Sequence, residues 1–541
     1  MAADTVLRGG TIVDGSGEEP FVGDVAIAGD RVVEIGEAGT LSGQQIIDVD
    51  GLAVAPGFIN MLSWATESLI QDGRSQGDIR QGVTLEVMGE GTSMGPLNER
   101  MKKSRDFILT DNDVNFEITW DTLGEYLQFL EDKGVSTNVA SYVGSGTLRI
   151  YAMGYEDRAP TADEMALMKD LVRQAMEEGA IGMSAALIYP PAAFATTEEI
   201  IELAKIVGEY DGVYVSHIRG EGRTLHIALD EFLRIVRESG ARGEIYHIKA
   251  AGRSNFDKMD QMLATIEQVR AEGLPVTADM YTYSASGTGL SSCLPNWAHD
   301  GGHDAMMDRL RDPDTRQRIM SEMSTPSEEW ENMYAENSPE NILLMGFRNP
   351  ELRKYSGKRL SEVIKERGTG SRETVLDLIL EDDSRIFTIY FSMSEDNLRK
   401  QIVKPWVSFC SDAGSYTAEP PFTNQPTHPR AYGSFARVLG KYVRDEGLLT
   451  LQAAVRKLAA VPAATLKIQD RGLLKVGNFA DIVVFDPAAM QDHATFENPH
   501  QYATGMQHVF VNGGQVLRDG DHTGVMSGRF VKGPGYKGGA Q

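Results

Sequence analysis

The sequence predicts an α/β fold: a (β/α)8 TIM barrel with a small β-sandwich domain built from both chain termini. Three observations carry that expectation. Through the middle of the chain, short apolar runs ending in polar residues alternate with helical stretches at roughly 30-residue intervals, the length of a strand-helix-strand unit. Short β-rich runs punctuated by Gly and Asp occupy both ends. The length, 541 residues, exceeds one simple core and suits one large barrel with a companion domain.

Residues 1–56 read as the first part of the β-domain. TVLRGGTIVDGSG, DVAIAGDRVVEIGE and QQIIDVDGLAVAPG place Val, Ile and Leu at period two between Gly/Asp turns. Residues 469–541 supply the second part, with GLLKVGNFADIVVFDP and MQHVFVNGGQVLRDG as strands, NGG and DGD as turns, and GPGYKGGAQ as a loose tail. The barrel is expected over 57–468. NVASYVG, AIGMSAA, VYVSHIRG, EIYHIKAAG and PVTADMYTY are strand candidates, separated by helical stretches such as LHIALDEFLRIVRESG and KMDQMLATIEQVRAEG. Enough parallel strands joined by helical crossovers close into a barrel. From about Leu294 to Arg359 the rhythm breaks into a segment rich in Met, Asp, Glu and Asn with no clear strand. A helical insertion in a βα loop is expected there, either covering the active site or forming a surface excursion.

Composition excludes several classes. Hydrophobic residues make up 41% and charged residues 24%, and no apolar run approaches the roughly 18 residues needed to cross a bilayer. The start, MAADTVLRGG, has no basic region followed by an apolar one, so no signal peptide is expected and the location reads as cytoplasmic. Cys293 and Cys410 form no metal-type pair and no disulfide framework. A formal charge of −26 opposes binding to nucleic acid and otherwise describes a solvated surface.

In a barrel the reactive groups sit where strands end. Those ends present His217 after YVS, His247 after EIY, Asp279 after VTA and Asp412 after VSFCS. A single His there is ordinarily structural. Two of them, with Asp412 in the SDAGS context across the barrel, match what a divalent metal such as Zn2+ needs: protein ligands, an open position for water and a nearby base.

The stretches GAIGMSAALIYPPAAFATTEEI, SHIRGEG, YHIKAAGRSNFDKM, TADMYTYSASGTGL, THPRAYGSFARVLGKYVRDEGLLTL and DRGLLKVGNFADIVVFDP resemble the N-acyl-D-amino-acid deacylase (D-aminoacylase) branch of the amidohydrolase superfamily. The resemblance covers nearly the whole chain and implies a metal-dependent amide hydrolase on a barrel of amidohydrolase type. It also implies where the pattern is broken. After PGFI the family carries Asp-x-His-x-His, and this chain has Asn60, Leu62 and Trp64, so the outer of two metal positions is expected to be empty. The inner position keeps His217 and His247, but the family's Cys in GNCG is missing from QGVTLEVMGEGTS. Glu90 is the expected substitute ligand, with Glu86 as second choice. Asp412 matches the family's general base.

Lys249, Tyr281, Tyr283 and Arg430 match positions that line or support the pocket, and Ser145 stands where the family often has a His. Lys249 suits a substrate carboxylate and a Tyr hydroxyl an oxyanion. The structural alternatives are that Tyr283 caps a strand and Arg430 pairs with a core carboxylate. Trp64 is expected to fill the vacated metal volume with an aromatic wall that favours an apolar or aromatic acyl group.

Three readings stand at this point. The first is a hydrolase of a linear amide, an N-acyl-amino acid or dipeptide-like compound, with one metal, Zn2+, and Asp412 as base. The second keeps the barrel without metal for isomerase, lyase or amide-cleaving acid-base chemistry. The third is a non-catalytic ligand-binding protein. A small-molecule amide is the expected partner, with a homodimer only as the commonest default for a soluble enzyme.

Overall fold

The computed structural model describes residues 3–104 and 116–538. Among them, eight parallel strands form the barrel: Phe58–Ser63, Val83–Met88, a third strand made of Asn138–Ser141 and Val143–Gly144, then Gly182–Ala186, Val213–His217, Arg242–Ile245, Val276–Met280 and Val407–Phe409. Neighbours pair in register, for example Val213 with Arg242 and Met280 with Phe409. The ring closes where Ser63 bridges Ala413 and the Asp412 amide donates to the Leu62 carbonyl at 2.9 Å.

Alternation decides what fills the barrel. Ile59, Met61, Leu85, Val87, Tyr142, Val215 and Tyr246 pack inside it, while their neighbours in sequence face the helices. The helix Leu225–Ser239 buries Leu225, Ala228, Leu229, Phe232, Leu233 and Val236, a stripe at helical spacing. Ala162–Glu178 starts at a Thr161/Glu164 capping box, worth about 1 kcal/mol, and stops at Gly179, whose φ of +111° suits a residue without a Cβ.

Both chain ends enter one nine-stranded sheet, joined where Ala53–Pro56 runs antiparallel to Ile482–Phe485. A buried polar network ties this sheet to the barrel. Arg471 pairs with Asp481 and donates to Asn512 Oδ1 at 2.8 Å, and Asn138 of the third barrel strand donates to Asp481 Oδ2 at 3.1 Å.

Two expectations need correction. The excursion between the seventh and eighth strands is more than a helical insertion over 294–359. It spans about 286–391 and combines the helices His303–Arg311, Pro313–Met323, Leu360–Arg367 and Ser371–Asp382 with an antiparallel sheet of Ser286–Gly289, Phe387–Tyr390 and Ile342–Gly346. Ile342–Gly346 is buried along its whole length, so it lacks the alternation that marks a half-buried strand. The tail expected to be loose is docked over 533–538. Gly533 donates to the Gly179 carbonyl, and Lys537 pairs with Glu177 at 2.5 Å; residues 539–541 lie outside the described part. Cys293 and Cys410 are buried and unpaired, and no helix among the described residues is long and apolar enough to cross a membrane.

Candidate metal centre and active site

Four strand ends and one turn build the site. His217 closes the fifth strand, His247 follows the sixth, Asp412 follows the eighth and Trp64 follows the first. Glu90 is delivered by a tight turn after the second strand, between Gly89 and Gly91 at φ +102° and +62°. A Cβ at Gly91 would stand 2.5 Å from the Ala186 methyl, so only glycine lets this turn pack on the fourth strand.

Glu90 Oε1 lies 3.2 Å from His217 Nδ1 and 3.0 Å from His247 Nε2, and donor atoms of all three residues fall within 4.8 Å of one another. All three are buried. Burial alone would raise the Glu90 carboxyl, but hydrogen bonds from both imidazoles outweigh it and hold the group well below the usual carboxylate range. Burial and the Lys249 ammonium pull His247 down, and Glu221 and Glu90 outweigh them, pushing its imidazole up to about 10. Glu86, the second choice for a ligand, is not in this group: it accepts from Asn60 Nδ2 at 3.0 Å, and burial pushes its carboxyl up to about 7.

The backbone is strained at two of these positions. His247 and Asp412 have φ of +34° and +49°, in the region that favours glycine, at a cost of order 1–3 kcal/mol each. Asp279 holds the first by accepting from the His247 amide at 2.7 Å, and the Leu62 carbonyl holds the second.

Trp64 is more than an aromatic wall. Its indole N–H donates to Glu90 Oε2 at 3.1 Å and to Asp412 Oδ1 at 3.2 Å, so one donor bridges both carboxylates. Arg430 forms an ion pair with Asp412 Oδ2 at 2.6 Å and lies 4.6 Å from the Tyr281 ring centre. Burial raises the Asp412 carboxyl above its ordinary range, with Arg430 and His247 pulling the other way and Glu90 adding to the rise.

Of the remaining expected residues, Lys249 and Tyr281 line the cavity, whose volume is about 370 Å³. The Tyr281 hydroxyl donates to Met393 Sδ at 3.2 Å. Ser145 and Tyr283 do not line it. Ser145 is buried at the start of the helix Ser145–Met153, and the Tyr283 hydroxyl donates to Asp492 Oδ2 at 3.2 Å, joining the barrel to the C-terminal segment.

Sequence reasoning missed three groups. Glu221 accepts from Lys249 Nζ at 2.7 Å and stands 3.2 Å from His247 Nδ1 and 3.3 Å from His217 Nε2. Its place four residues after His217, inside SHIRGEG, was the available signal. Glu331 accepts from the Glu221 amide at 2.7 Å, and burial pushes its carboxyl up to about 7. Arg385 lines the cavity and donates to Thr288 Oγ1 at 3.1 Å. Glu331 and Arg385 come from the long excursion, which therefore covers the site.

Residues 406–517 match the amidohydrolase family model. Over 530 residues, 98% of this chain and 97% of the relative, the sequence is 34% identical to the D-aminoacylase of Alcaligenes xylosoxydans xylosoxydans. The backbone is similar to that of a solved D-aminoacylase whose binuclear metal centre shows one-metal activation and second-metal attenuation: the TM-score is 0.81 at 32% identity, over 98% of this chain and 100% of the other. A solved N-acyl-D-glutamate deacylase from Bordetella bronchiseptica, complexed with zinc and a phosphonate mimic of the tetrahedral intermediate, matches with a TM-score of 0.81 at 28% identity over the same shares.

Proposed function

The chain belongs to the D-aminoacylase family of amidohydrolases, and we propose that it hydrolyses the amide bond of an N-acyl-amino acid or dipeptide-like compound with a single divalent metal, Zn2+. One observation carries this reading: Glu90, His217 and His247 converge at the mouth that also holds Asp412. Two imidazoles and a carboxylate are a donor set that Zn2+ accepts while keeping a position open. The buried carboxylates of Glu90 and Glu221 surround the imidazoles, so a cation there meets compensating charge. Leu62 has no donor atom and the Trp64 indole only donates, which supports one metal rather than two.

Glu90, His217 and His247 would hold the ion, which when bound would supply Lewis acidity toward the scissile carbonyl and water. The chain's own residues do the rest. Asp412 accepts a proton from the attacking water as the C–O bond forms and passes it to nitrogen as the C–N bond breaks, leaving a carboxylic acid and an amine, which exchange the remaining proton to give carboxylate and ammonium. Trp64 and Arg430 fix the two Asp412 oxygens in place. Lys249 and Arg430 supply positive charge for the substrate carboxylate, and the Tyr281 hydroxyl turns from Met393 toward the developing oxyanion. The face of Trp64 favours an apolar or aromatic acyl group.

A panel of N-acyl-D- and N-acyl-L-amino acids, followed by amine release, tests the proposal; release from no member of the panel overturns it. The mutual hydrogen bonds of Glu90 with both imidazoles favour, as a second reading, metal-free acid-base chemistry at the same residues. Full activity after chelation would select it. We further read the nine-stranded sheet as the companion β-sandwich, and the chain as cytoplasmic and capable of forming a homo-oligomer.

A further inference from the structure

A second cavity, of about 550 Å³, lies at the opposite end of the barrel, where strands begin. Arg242, the first residue of the sixth strand, lines it together with Arg270 from the helix Lys258–Ala271 and Arg456 from the C-terminal helical segment. Thr277, Trp406 and Ser16 complete its polar wall. Three guanidinium groups around one cavity are unusual in a chain of net charge −26, and electrostatics would ordinarily place carboxylates beside them.

Carboxylate partners are absent here. Among the described residues, no ion pair joins Arg242, Arg270 or Arg456 to an acid, although most other arginines of the chain are paired. Arg270 donates to the Val276 carbonyl and faces the Trp406 ring at 5.8 Å. Two buried donors lack an acceptor altogether: Arg242 Nε and the indole Nε1 of Trp406, a residue only 4% exposed. An unsatisfied buried donor costs about 1–3 kcal/mol, so the wall of this cavity is electropositive and short of acceptors, although these two atoms are themselves closed off behind it. The acid within electrostatic reach of Arg242 and Arg270 is Glu244. It is buried inside the barrel, where burial first and Asp279 second push its carboxyl well above the ordinary range against the pull of both arginines, and it forms an ion pair with neither.

We propose that this foot of the barrel is a binding site for a phosphate group, as inorganic phosphate or a small phosphate monoester, held by Arg242, Arg270 and Arg456. Guanidinium forks match oxyanion geometry with paired donors. The Thr277 hydroxyl is committed to Glu244, and Ser16 sits at the rim from the N-terminal β-region. The site is separate from the catalytic mouth and shares none of its residues.

Calorimetric titration of the full-length, metal-loaded protein with inorganic phosphate, and separately with glycerol 3-phosphate, tests this. Saturable binding of about one equivalent is expected, weakened at least about tenfold in Arg242→Gln/Arg456→Gln, with Lys249→Met at the mouth binding as the wild type does. Tighter binding of one titrant identifies which source of phosphate the site takes. Arg456 is exposed and unpaired, so Arg456→Gln alone keeps the test valid if the double variant does not fold. Wild-type binding in the foot variants, loss of binding in Lys249→Met, or no saturable binding up to about 10 mM overturns the proposal.

Discussion

The indole Nε1 of Trp64 lies 3.2 Å from Asp412 Oδ1, so the residue that follows the first barrel strand is hydrogen-bonded to the proposed general base. The same N–H reaches Glu90 at 3.1 Å. A neutral donor shared by two carboxylates holds them apart and oriented without a second cation. Trp64→Phe keeps the ring and removes the donor. It is expected to lower kcat about tenfold, roughly 1.4 kcal/mol, with metal content unchanged. Steady-state kinetics beside elemental analysis checks both halves; a variant with full kcat contradicts the role.

Asp412→Asn removes the proton acceptor and leaves the shape. A fall in kcat of about 10²- to 10⁴-fold is expected, with metal retained. Near wild-type turnover would exclude Asp412 as the base.

The pH dependence follows from the Asp412 surroundings. A base works deprotonated, so kcat/KM rises with pH through the Asp412 pKa, and burial sets that limb above the ordinary aspartate range. Arg430 pulls the pKa down. Arg430→Gln is therefore expected to move the acid limb to higher pH; a shift to lower pH contradicts the assignment.

Much of this site was legible in the sequence because strands obey a strict period. His217, His247 and Asp412 fall at strand ends, and once a strand is recognised its end is fixed. Glu90 was reached through the resemblance, as the acid expected to replace the family's missing Cys ligand. What escaped lies off that period. Glu221 sits in a loop after His217, and Glu331 and Arg385 arrive through an excursion whose buried strand shows no alternation. Ser145 and Tyr283 were placed near the right strand ends, but sequence does not say which side of the wall a side chain takes. The Trp64 ring was expected as filler, because nothing in the sequence orients an indole N–H.

Stability is expected to depend on the join between the terminal sheet and the barrel. Arg471→Leu leaves Asp481 buried without its cation and should cost about 3–5 kcal/mol, read as a lower urea midpoint with the metal centre still loaded. An unchanged midpoint would show that Asn138 and Asn512 satisfy Asp481 by themselves.

Metal content tests the central claim most directly. Elemental analysis of the untagged protein, expressed with added zinc, is predicted to give about one zinc per chain, lost in both Glu90→Ala and His247→Ala. Zinc retained in Glu90→Ala, two ions per chain, or none in the wild type would contradict the single site built from Glu90, His217 and His247.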